Sequence, residues 1–526
     1  MKRILLTIIL VCFATASPQL AMAQPATASQ SVATSATDTQ TVGASITAPQ
    51  QLLTFEEAVA LMLHDNPAIA ALESERKAAE RTTQATIGLF LPQIRLRGAY
   101  IHANRDIALS LNNDLTAMLG LNLSYTLQPR TFGALGGDVV MPIFTGGRII
   151  AARRAAKARK QSTEATISQS TNALYTELTT RYFGYALSLY VVKVREQVTA
   201  TVARHLADLR QAMQYGAATR TALLYAEYRL AEAEREQASA ELQLQTALTA
   251  LRTTLGSGNA ALQAHPEGGK STCQVPLGGG ENTLEGDACD PRQSSEQAER
   301  QILPATAMFV IDELPPLEHL LSLAESQNPI LQSIEGERAL AGANILAHRA
   351  EFFPEIVGMG AVTLCDHNLT PVLPRAAVGV GVSFTLFNGA RRELSYSASQ
   401  HTLRRVESLQ QRASADIQTL VRQLYNQLCS YRMECQSLAE GVASAEAYLH
   451  SIRIALREGV ATTAELLDAE VEVARMRIER VEAAYNFDTT LARLLEAVGE
   501  SDTLPQLIHS TSSHSITYDT PPYETH

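Results

Sequence analysis

The sequence predicts a mainly α-helical protein with two β-hairpins, built from one unit that occurs twice. The first observation is a pair of matching motifs 243 residues apart, Tyr215-Gly-Ala-Ala-Thr-Arg-Thr-Ala-Leu-Leu-Tyr-Ala-Glu227 and Glu458-Gly-Val-Ala-Thr-Thr-Ala-Glu-Leu-Leu-Asp-Ala-Glu470. Second, the long tracts around each motif lack proline and are rich in Ala, Leu, Glu, Arg and Gln, which favours long helices. Third, a segment in each copy alternates apolar with small or polar residues, the period of a β-strand.

The N-terminus has the features of an export signal. The basic pair Lys2-Arg3 precedes the apolar run Ile4 to Ala14, and an A-x-A-type cleavage site ends at Ala23. A membrane anchor is the alternative, but the run is too short to cross a bilayer comfortably. Because Gln24 follows the site where a lipid-anchored protein would have Cys, we expect no lipid anchor.

The helices and strands of the two copies keep a common order, which sets the boundaries. Thr54 and Glu57 form a predicted capping box, and this first helix ends before Asn66-Pro67. The second copy follows at an offset of 262 residues and later of 243, so the first copy carries 19 extra residues before Gly146. We divide the chain into a signal peptide (1–23), a disordered leader (24–51), a first repeat (52–256), a linker (257–314), a second repeat (315–499) and a mobile tail (500–526).

Each repeat contains one predicted β-hairpin, at about 93–144 and 355–387. In the second hairpin, apolar residues alternate with small or polar ones from Val378 to Leu386. A soluble hairpin over a core would show this pattern, and so would the strands of an outer-membrane barrel. The sequence leaves both possibilities open.

The remaining residues of each repeat predict very long helices. Gly146 to Tyr215 would form about 105 Å of helix, and the return helix from Thr219 to Leu255 about 55 Å. Apolar residues step by threes and fours from Val421 to Leu456, as in a coiled-coil seam, although an ordinary buried stripe is the alternative. Such lengths predict a tall tube wall and not a globular core.

Charge, histidine and cysteine usage restrict the functions. With 43 basic and 54 acidic side chains, the chain gives no electrostatic reason to expect a nucleic-acid partner. No catalytic motif or zinc-ligand spacing stands out, so we expect no enzyme activity, no metal and no cofactor. Cys273 and Cys289 could form a disulfide or remain reduced, and Cys429 and Cys435 are expected to be buried thiols.

The ordered, duplicated motifs resemble the TolC-like outer membrane efflux protein family across about 52–256 and 315–499. The resemblance is carried by the two turn motifs and by Leu53-Thr-Phe-Glu-Glu-Ala, Asn66-Pro67, Leu91-Pro92-Gln93, Pro142-Ile-Phe-Thr-Gly-Gly-Arg148 and Leu386-Phe-Asn-Gly-Ala-Arg391. It implies a mainly α protein with a membrane β-barrel portion, a homotrimer whose 12-stranded barrel continues as a periplasmic α-helical tunnel. It further implies an outer membrane exit duct that passively serves a periplasmic adaptor and an inner-membrane pump or type I secretion transporter.

The resemblance also assigns roles to residues at the two turns. The adaptor-contacting tips would be Gly216, Ala217, Ala218, Thr219, Gly459, Val460, Ala461 and Thr462. Small residues also suit a tight turn with no partner. The pore constriction would be Glu465 and Asp468, three apart on one helix face, although two solvated surface acids are the alternative. Threefold symmetry would place six carboxylates around the axis, where they would attract cations.

The chain departs from the best-known family member at the entrance. Ala461 replaces an Arg, Leu456 a Tyr and Ala222 an acid, so we expect the polar links that lock that entrance to be absent or different. The alternative functions are a periplasmic coiled-coil adaptor and a secreted structural coiled coil without a pore. An adaptor would carry one helical hairpin, whereas this sequence predicts two.

Overall fold

The computed structural model describes residues 51–110, 118, 124–216, 218–256, 302–369, 374–508 and 513–515. The predicted signal peptide, nearly all of the leader, Ala217, and Cys273 with Cys289 lie outside these residues. Within the described ranges, no helix is both long and apolar enough to cross a bilayer.

Each repeat consists of two short helices, long antiparallel strands and one long helical hairpin. The elements of the first copy are β1 (Gln51–Leu53), α1 (Phe55–Asp65), α2 (Pro67–Ala85), a 3-10 turn (Thr86–Phe90), β2 (Gln93–His102), β3 (Ile107–Ser110), β4 (Ser124–Gln128), β5 (Thr131–Phe144), α3 (Arg148–Gln214) and α4 (Arg220–Leu255). They are followed by β6 (Ile302–Pro304), β7 (Phe309–Ile311), α5 (Leu317–Gln327), α6 (Pro329–Ala350), β8 (Glu355–His367), β9 (Ala376–Ser383), α7 (Arg391–Arg457), α8 (Thr463–Val498), a 3-10 turn (Ser501–Thr503), α9 (Leu504–Ile508) and β10 (Ser513–Ser515).

The helix lengths confirm the predicted duplication. Helices α3 and α7 both have 67 residues, about 100 Å of helix, and α4 and α8 both have 36. The short helices α1 and α5 have 11 residues each. The length difference between the copies lies between β2 and β5, where β3 and β4 pair in a separate small hairpin that the sequence periodicity did not predict.

Equivalent asparagines fasten the short helices to the ends of the return helices. The capping box of Thr54 and Glu57 is confirmed at the start of α1. Asn66 caps α2 and donates from Nδ2 to the carbonyl of Thr254 at 2.7 Å. Asn328 caps α6 and donates to the carbonyl of Ala497 at the same distance. Each Asn-Pro pair therefore both begins a helix and ties it to the last turn of α4 or α8.

The four long strands form one antiparallel sheet in the order β2-β5-β8-β9. The central pair joins the two copies through β5 and β8. Directly opposed residues share a face, so Ile94, Val139, Gly360 and Val378 lie on one side of the sheet. Strand β9 ends at Ser383, three residues before the predicted end, while its valines alternate as predicted.

The main core lies where the helical hairpins meet the short strands. Tyr182 and Tyr185 on α3 are fully buried, and their hydroxyls donate to the carbonyls of Leu53 and Ile302 at 2.7 and 2.6 Å. These bonds attach the parallel pair β1-β6 to the long helix. The predicted linker therefore contains ordered strands in its described part.

The apolar residues predicted to form a stripe on α7 are buried or partly buried, as expected for a coiled-coil seam and for an ordinary buried stripe alike. The buried members include Val421, Leu428 and Leu449, and the others are partly buried against the same clusters. Cys435 is buried and Cys429 is only partly buried; both are free thiols. The prediction that both cysteines are buried is therefore correct for Cys435 and wrong for Cys429.

The predicted mobile tail requires correction in its described part, residues 500–508 and 513–515. Ser501 and Leu504 are buried, and helix α9 packs on the main core. Strand β10 then pairs with β7, which runs along α8. Apolar residues at Leu504, Leu507 and Ile508 supply contacts that the Ser/Thr/His-rich composition of the whole tail concealed.

Candidate functional site at the helical turns

Two tight turns connect the long helices to the return helices, as the sequence predicts. Gly216 and Gly459 adopt φ values of +75° and +73°, a left-handed conformation that glycine tolerates best. A Cβ at either glycine would meet open space, so the backbone conformation alone selects glycine. Thr219 and Thr462 then cap α4 and α8 through their hydroxyls.

The eight predicted tip residues do not all present their side chains to solvent. Val460 is 79% exposed, and Gly216, Thr219, Gly459 and Thr462 are also exposed. Ala218 and Ala461 are half-buried, and Ala218 packs against the cluster of Leu206 and Leu467. Tyr215, which the sequence analysis did not select, is 80% exposed beside the first turn.

Glu465 has a structural role at the start of α8. One of its carboxylate oxygens, Oε2, accepts from the backbone N–H of Thr462 at 2.7 Å, and the Thr462 hydroxyl accepts from the N–H of Glu465 at 3.3 Å. This reciprocal pair is a capping box, which satisfies two otherwise free N–H groups. The side chain remains exposed, so its charge is accessible to water.

Asp468 is bound to the other helical hairpin. Its Oδ1 accepts from the hydroxyl of Tyr225 at 2.6 Å and from Nη2 of Arg229. Arg229 also donates from Nε to Tyr225 at 3.0 Å and from Nη1 to Glu232 at 2.8 Å. The four side chains form one polar cluster that connects α4 and α8, which we call the Tyr225–Asp468 link.

The link changes the protonation behaviour of its members. Partial desolvation acts to raise the pKa of Asp468, but the hydrogen bonds from Tyr225 and Arg229 outweigh it and hold the pKa below its ordinary value. Desolvation and the hydrogen bond to Asp468 raise the pKa of the Tyr225 hydroxyl. Asp468 is therefore ionised at neutral pH while Tyr225 remains a hydrogen-bond donor.

A second polar cluster lies close to the link, at the end of the turn motif. Glu470 is 8% exposed, and its Oε1 lies 3.3 Å from Nη2 of Arg453 and 3.4 Å from Nε2 of His205. These contacts join α8 to α7 and α3. The equivalent pair in the first copy, Glu227 with Arg210, is 3.1 Å apart and lies at the surface.

The structure thus brings Asp468 into a cluster that the sequence analysis did not identify. The departures at Ala461, Leu456 and Ala222 predicted different links at the entrance but did not identify the residues that form them. A signal was present, because the charge pair Arg229 and Glu232 reappears with reversed signs 243 residues later as Glu472 and Arg475. In the described part of the chain, no three His, Cys, Asp or Glu side chains are grouped to hold a metal ion.

Two characterised proteins are similar to the chain in sequence. The outer membrane efflux protein BepC of Brucella suis is 21% identical over 268 residues, 50% of this chain and 58% of BepC. The alkaline protease secretion protein AprF of Pseudomonas aeruginosa is 24% identical over 208 residues, 38% of this chain and 43% of AprF. The chain matches about half the length of these two relatives.

The fold is similar to that of solved outer membrane channels. The Campylobacter jejuni CmeC outer membrane channel superposes with a TM-score of 0.64 at 12% identity, covering 85% of this chain and 86% of CmeC. The likeness includes both repeats, so it confirms the predicted fold class.

A family model described as outer membrane efflux protein matches residues 58–257 and 320–500. These ranges contain both long helical hairpins and the four-stranded sheet. The match favours an outer membrane efflux protein over the two alternatives, a periplasmic adaptor and a secreted coiled coil. The chain is an outer membrane protein and belongs to the outer membrane efflux protein family.

Proposed function

We propose that three copies of this chain form a passive exit duct in the outer membrane. The observation that carries the proposal is the four-stranded sheet, whose edge strands β2 and β9 have no outer partner in the described part of the chain. Lipid does not tolerate open strand edges, so β2 of one copy would pair with β9 of the next. Three copies would close a 12-stranded barrel, within the size range of outer-membrane barrels.

The distribution of apolar residues supports a membrane position for this sheet. Val378, Val380 and Val382 project from one face and are largely exposed in the single chain. Ile94, Leu96 and Tyr100 on β2 project from the same face and are also exposed. An apolar face on strands of this length is typical of the lipid-facing surface of a barrel.

The helices would continue the barrel as a periplasmic tunnel. Strand β5 passes through Gly146 and Gly147 directly into α3, and β9 is followed at Arg391 by α7. Helices of about 100 Å are long enough to extend far into the periplasm. The turns at Gly216 and Gly459 would therefore form the inner end of the duct.

We propose that these turns dock on a periplasmic adaptor coupled to an inner-membrane pump. Val460 and Tyr215 are the most exposed large side chains there, and Gly216, Ala217, Ala218, Thr219, Gly459, Ala461 and Thr462 complete the tips. The similarity to an efflux protein and to a protease secretion protein supports either tripartite efflux or type I secretion. The pump would choose the substrate.

Glu465 and Asp468 would lie at the constriction of this inner end. Glu465 would contribute an exposed carboxylate from each copy, whereas the positive charge of Arg229 partly offsets that of Asp468. The Tyr225–Asp468 link would hold the two hairpins of each chain together and keep the entrance narrow. An acidic ring with this link would attract cations and restrict passage at rest.

Engineered disulfides test the trimeric barrel. In a background lacking the native cysteines, Leu96→Cys is combined in turn with Val378→Cys, Val380→Cys and Val382→Cys. Oxidation should convert at least one pair to covalent trimers on denaturing gels. Ile94→Cys with Val139→Cys, which oppose each other within one chain, is the control and should remain monomeric. Failure of every β2–β9 pair to link chains, with the control pair oxidised, contradicts the proposed closure.

Conductance tests the duct itself. Purified trimers should insert into planar lipid bilayers and pass ions. A separate experiment tests adaptor docking: Val460→Cys carrying a crosslinker should capture a periplasmic adaptor in intact cells. Protein that inserts without conducting ions would contradict the proposal.

A further inference from the structure

The charged residues of the four-stranded sheet all lie on the face opposite the exposed valines. Strand register places Arg95 opposite Asp138, and Asp138 opposite Ala361. Arg97 follows on the same face, since side chains two apart along a strand share a side. If the apolar face contacts lipid, as proposed above, this second face lines the water-filled interior of the barrel.

At both ends of this inner face, acidic residues are neutralised by single partners. Glu355, the first residue of β8, accepts from Nη2 of Arg148 at 2.6 Å. Near the other end of β8, Asp366 accepts from Nη2 of Arg375 at 3.2 Å. Each of these two carboxylates is therefore paired with one arginine.

The middle of the inner face has an excess of positive charge. Asp138 Oδ1 accepts from Nε of Arg97 at 2.7 Å, and its Oδ2 lies 3.3 Å from Nε of Arg95. One negatively charged carboxylate thus lies against two positively charged guanidinium groups, which leaves one positive charge in excess. Both arginine side chains remain more than half exposed, and their terminal Nη groups have no protein partner in the described part of the chain.

The pairing also orients the two guanidinium groups. Nε of Arg97 donates a hydrogen bond to Oδ1, whereas Nε of Arg95 forms only an ion pair with Oδ2, which has no hydrogen-bond partner in the described part of the chain. The ends of both side chains remain available to solvent. Free Nη groups are donors suited to inorganic anions, carboxylates and phosphates. Ala99, Gly136 and Ala361 are small residues beside the cluster on this face, and the Arg95 and Arg97 side chains are 54% and 70% exposed.

We propose that Arg95 and Arg97, positioned by Asp138, form an anion-attracting ring inside the barrel. This inference rests on the proposed trimeric duct, in which three copies bring six guanidinium groups and three carboxylates to one level. The ring lies apart from the acidic residues at the helical turns. It favours passage of small anions and of the anionic groups of larger solutes through the outer part of the duct.

Reversal potentials across planar bilayers in a KCl gradient test the ring. The double variant Arg95→Gln with Arg97→Gln should lower the chloride-to-potassium permeability ratio by more than about threefold. Coulomb's law gives about threefold for one unit charge about 6 Å from one ion in water, and the variant removes two charges from each chain. Asp138→Asn should raise the ratio, because it removes the one negative charge of the cluster. The charge-conserving variant Arg95→Lys with Arg97→Lys should keep the wild-type ratio.

A charge effect should shift the permeability ratio in opposite directions in the Arg→Gln double variant and in Asp138→Asn. A folding defect would shift the ratio in the same direction in both variants. Equal ratios in wild-type, Gln and Asn channels of normal conductance would overturn the ring. A Lys variant as depleted in chloride permeability as the Gln variant would also overturn it. Wild-type trimers that conduct no ions would instead contradict the proposed duct.

Discussion

The hydroxyl of Tyr225 donates a hydrogen bond of 2.6 Å to Asp468, the residue at the same position in the other copy of the repeat. Two equivalent positions can touch only where the two copies meet around their common axis. Two aspartates there would repel each other, whereas tyrosine and aspartate form a donor–acceptor pair. The two copies therefore differ at this position in a way that makes the contact favourable.

Removing the Tyr225 hydroxyl should loosen the contact between α4 and α8. One hydrogen bond to a partly exposed carboxylate contributes about 1 kcal/mol, which corresponds to about a fivefold change in the balance of closed and open entrances. Tyr225→Phe should therefore increase the open probability of single channels in planar bilayers. Tyr228→Phe is the matched control, because Tyr228 is an exposed tyrosine one turn along the same helix. Equal open probabilities in the two variants would show that the link does not hold the entrance.

The sequence predicted the architecture well because long-range order follows from local patterns repeated twice. Proline-free tracts, the glycines at 216 and 459 and the Asn-Pro pairs each determine local backbone geometry, and all of them recur. The Tyr225–Asp468 link could not be predicted from a periodic pattern, since it depends on how two helices from different copies approach. The departures at Ala461, Leu456 and Ala222 indicated only that the links would differ.

Glu465 caps helix α8 and, in the proposed constriction, supplies a negative charge; substitution by glutamine tests the two roles separately. Glutamine can accept the backbone hydrogen bond of a capping box but carries no charge. Glu465→Gln should therefore retain the thermal stability of the trimer while weakening block of the channel by divalent cations. Glu465→Ala should reduce both the thermal stability and the block by divalent cations. The broken cap should lower the free energy of unfolding by about 1 kcal/mol per chain.

The measurements are single-channel block and thermal unfolding followed by circular dichroism. Thr462→Ala provides the reverse control, since it breaks the cap and leaves the carboxylate in place. Undiminished cation block in Glu465→Gln would mean that this carboxylate does not face the conducting path.

Glu470 and Glu227 are equivalent residues whose substitutions should differ in cost. The contact of Glu470 with Arg453 and His205 is shielded, because the Glu470 side chain is only 8% exposed. Glu470→Ala removes the carboxylate that contacts Arg453 and His205 in a partly desolvated site. The substitution should therefore destabilise the trimer by about 2 kcal/mol. Glu227 is 41% exposed, so Glu227→Ala should cost less than about 1 kcal/mol.

Thermal unfolding of the two variants under identical detergent and salt conditions checks this difference. High salt should reduce the effect of Glu227→Ala more than that of Glu470→Ala, because exposed pairs are screened more strongly. Equal losses would indicate that burial does not strengthen the Glu470 contacts.

Asp488, fully buried on α8 beside β7, should make stability depend on pH. Desolvation raises its pKa well above the ordinary value, against the weak effect of one hydrogen bond from the N–H of Phe309 at 3.4 Å. The folded protein thus keeps a proton that the unfolded chain releases above a pH of about 4. The free energy of unfolding should then fall with rising pH, by up to about 1.4 kcal/mol per pH unit, until the raised pKa is reached.

Asp488→Asn cannot ionise and should lack this dependence. The stability gain of the variant over wild type should therefore increase from pH 5 to pH 8, measured as the difference between their thermal midpoints. Asp502→Asn changes an exposed aspartate, so its thermal midpoint should follow that of the wild type across the same pH range. A gain for Asp488→Asn that is constant with pH would mean that the buried carboxyl stays ionised, and that an unrecognised partner balances its charge.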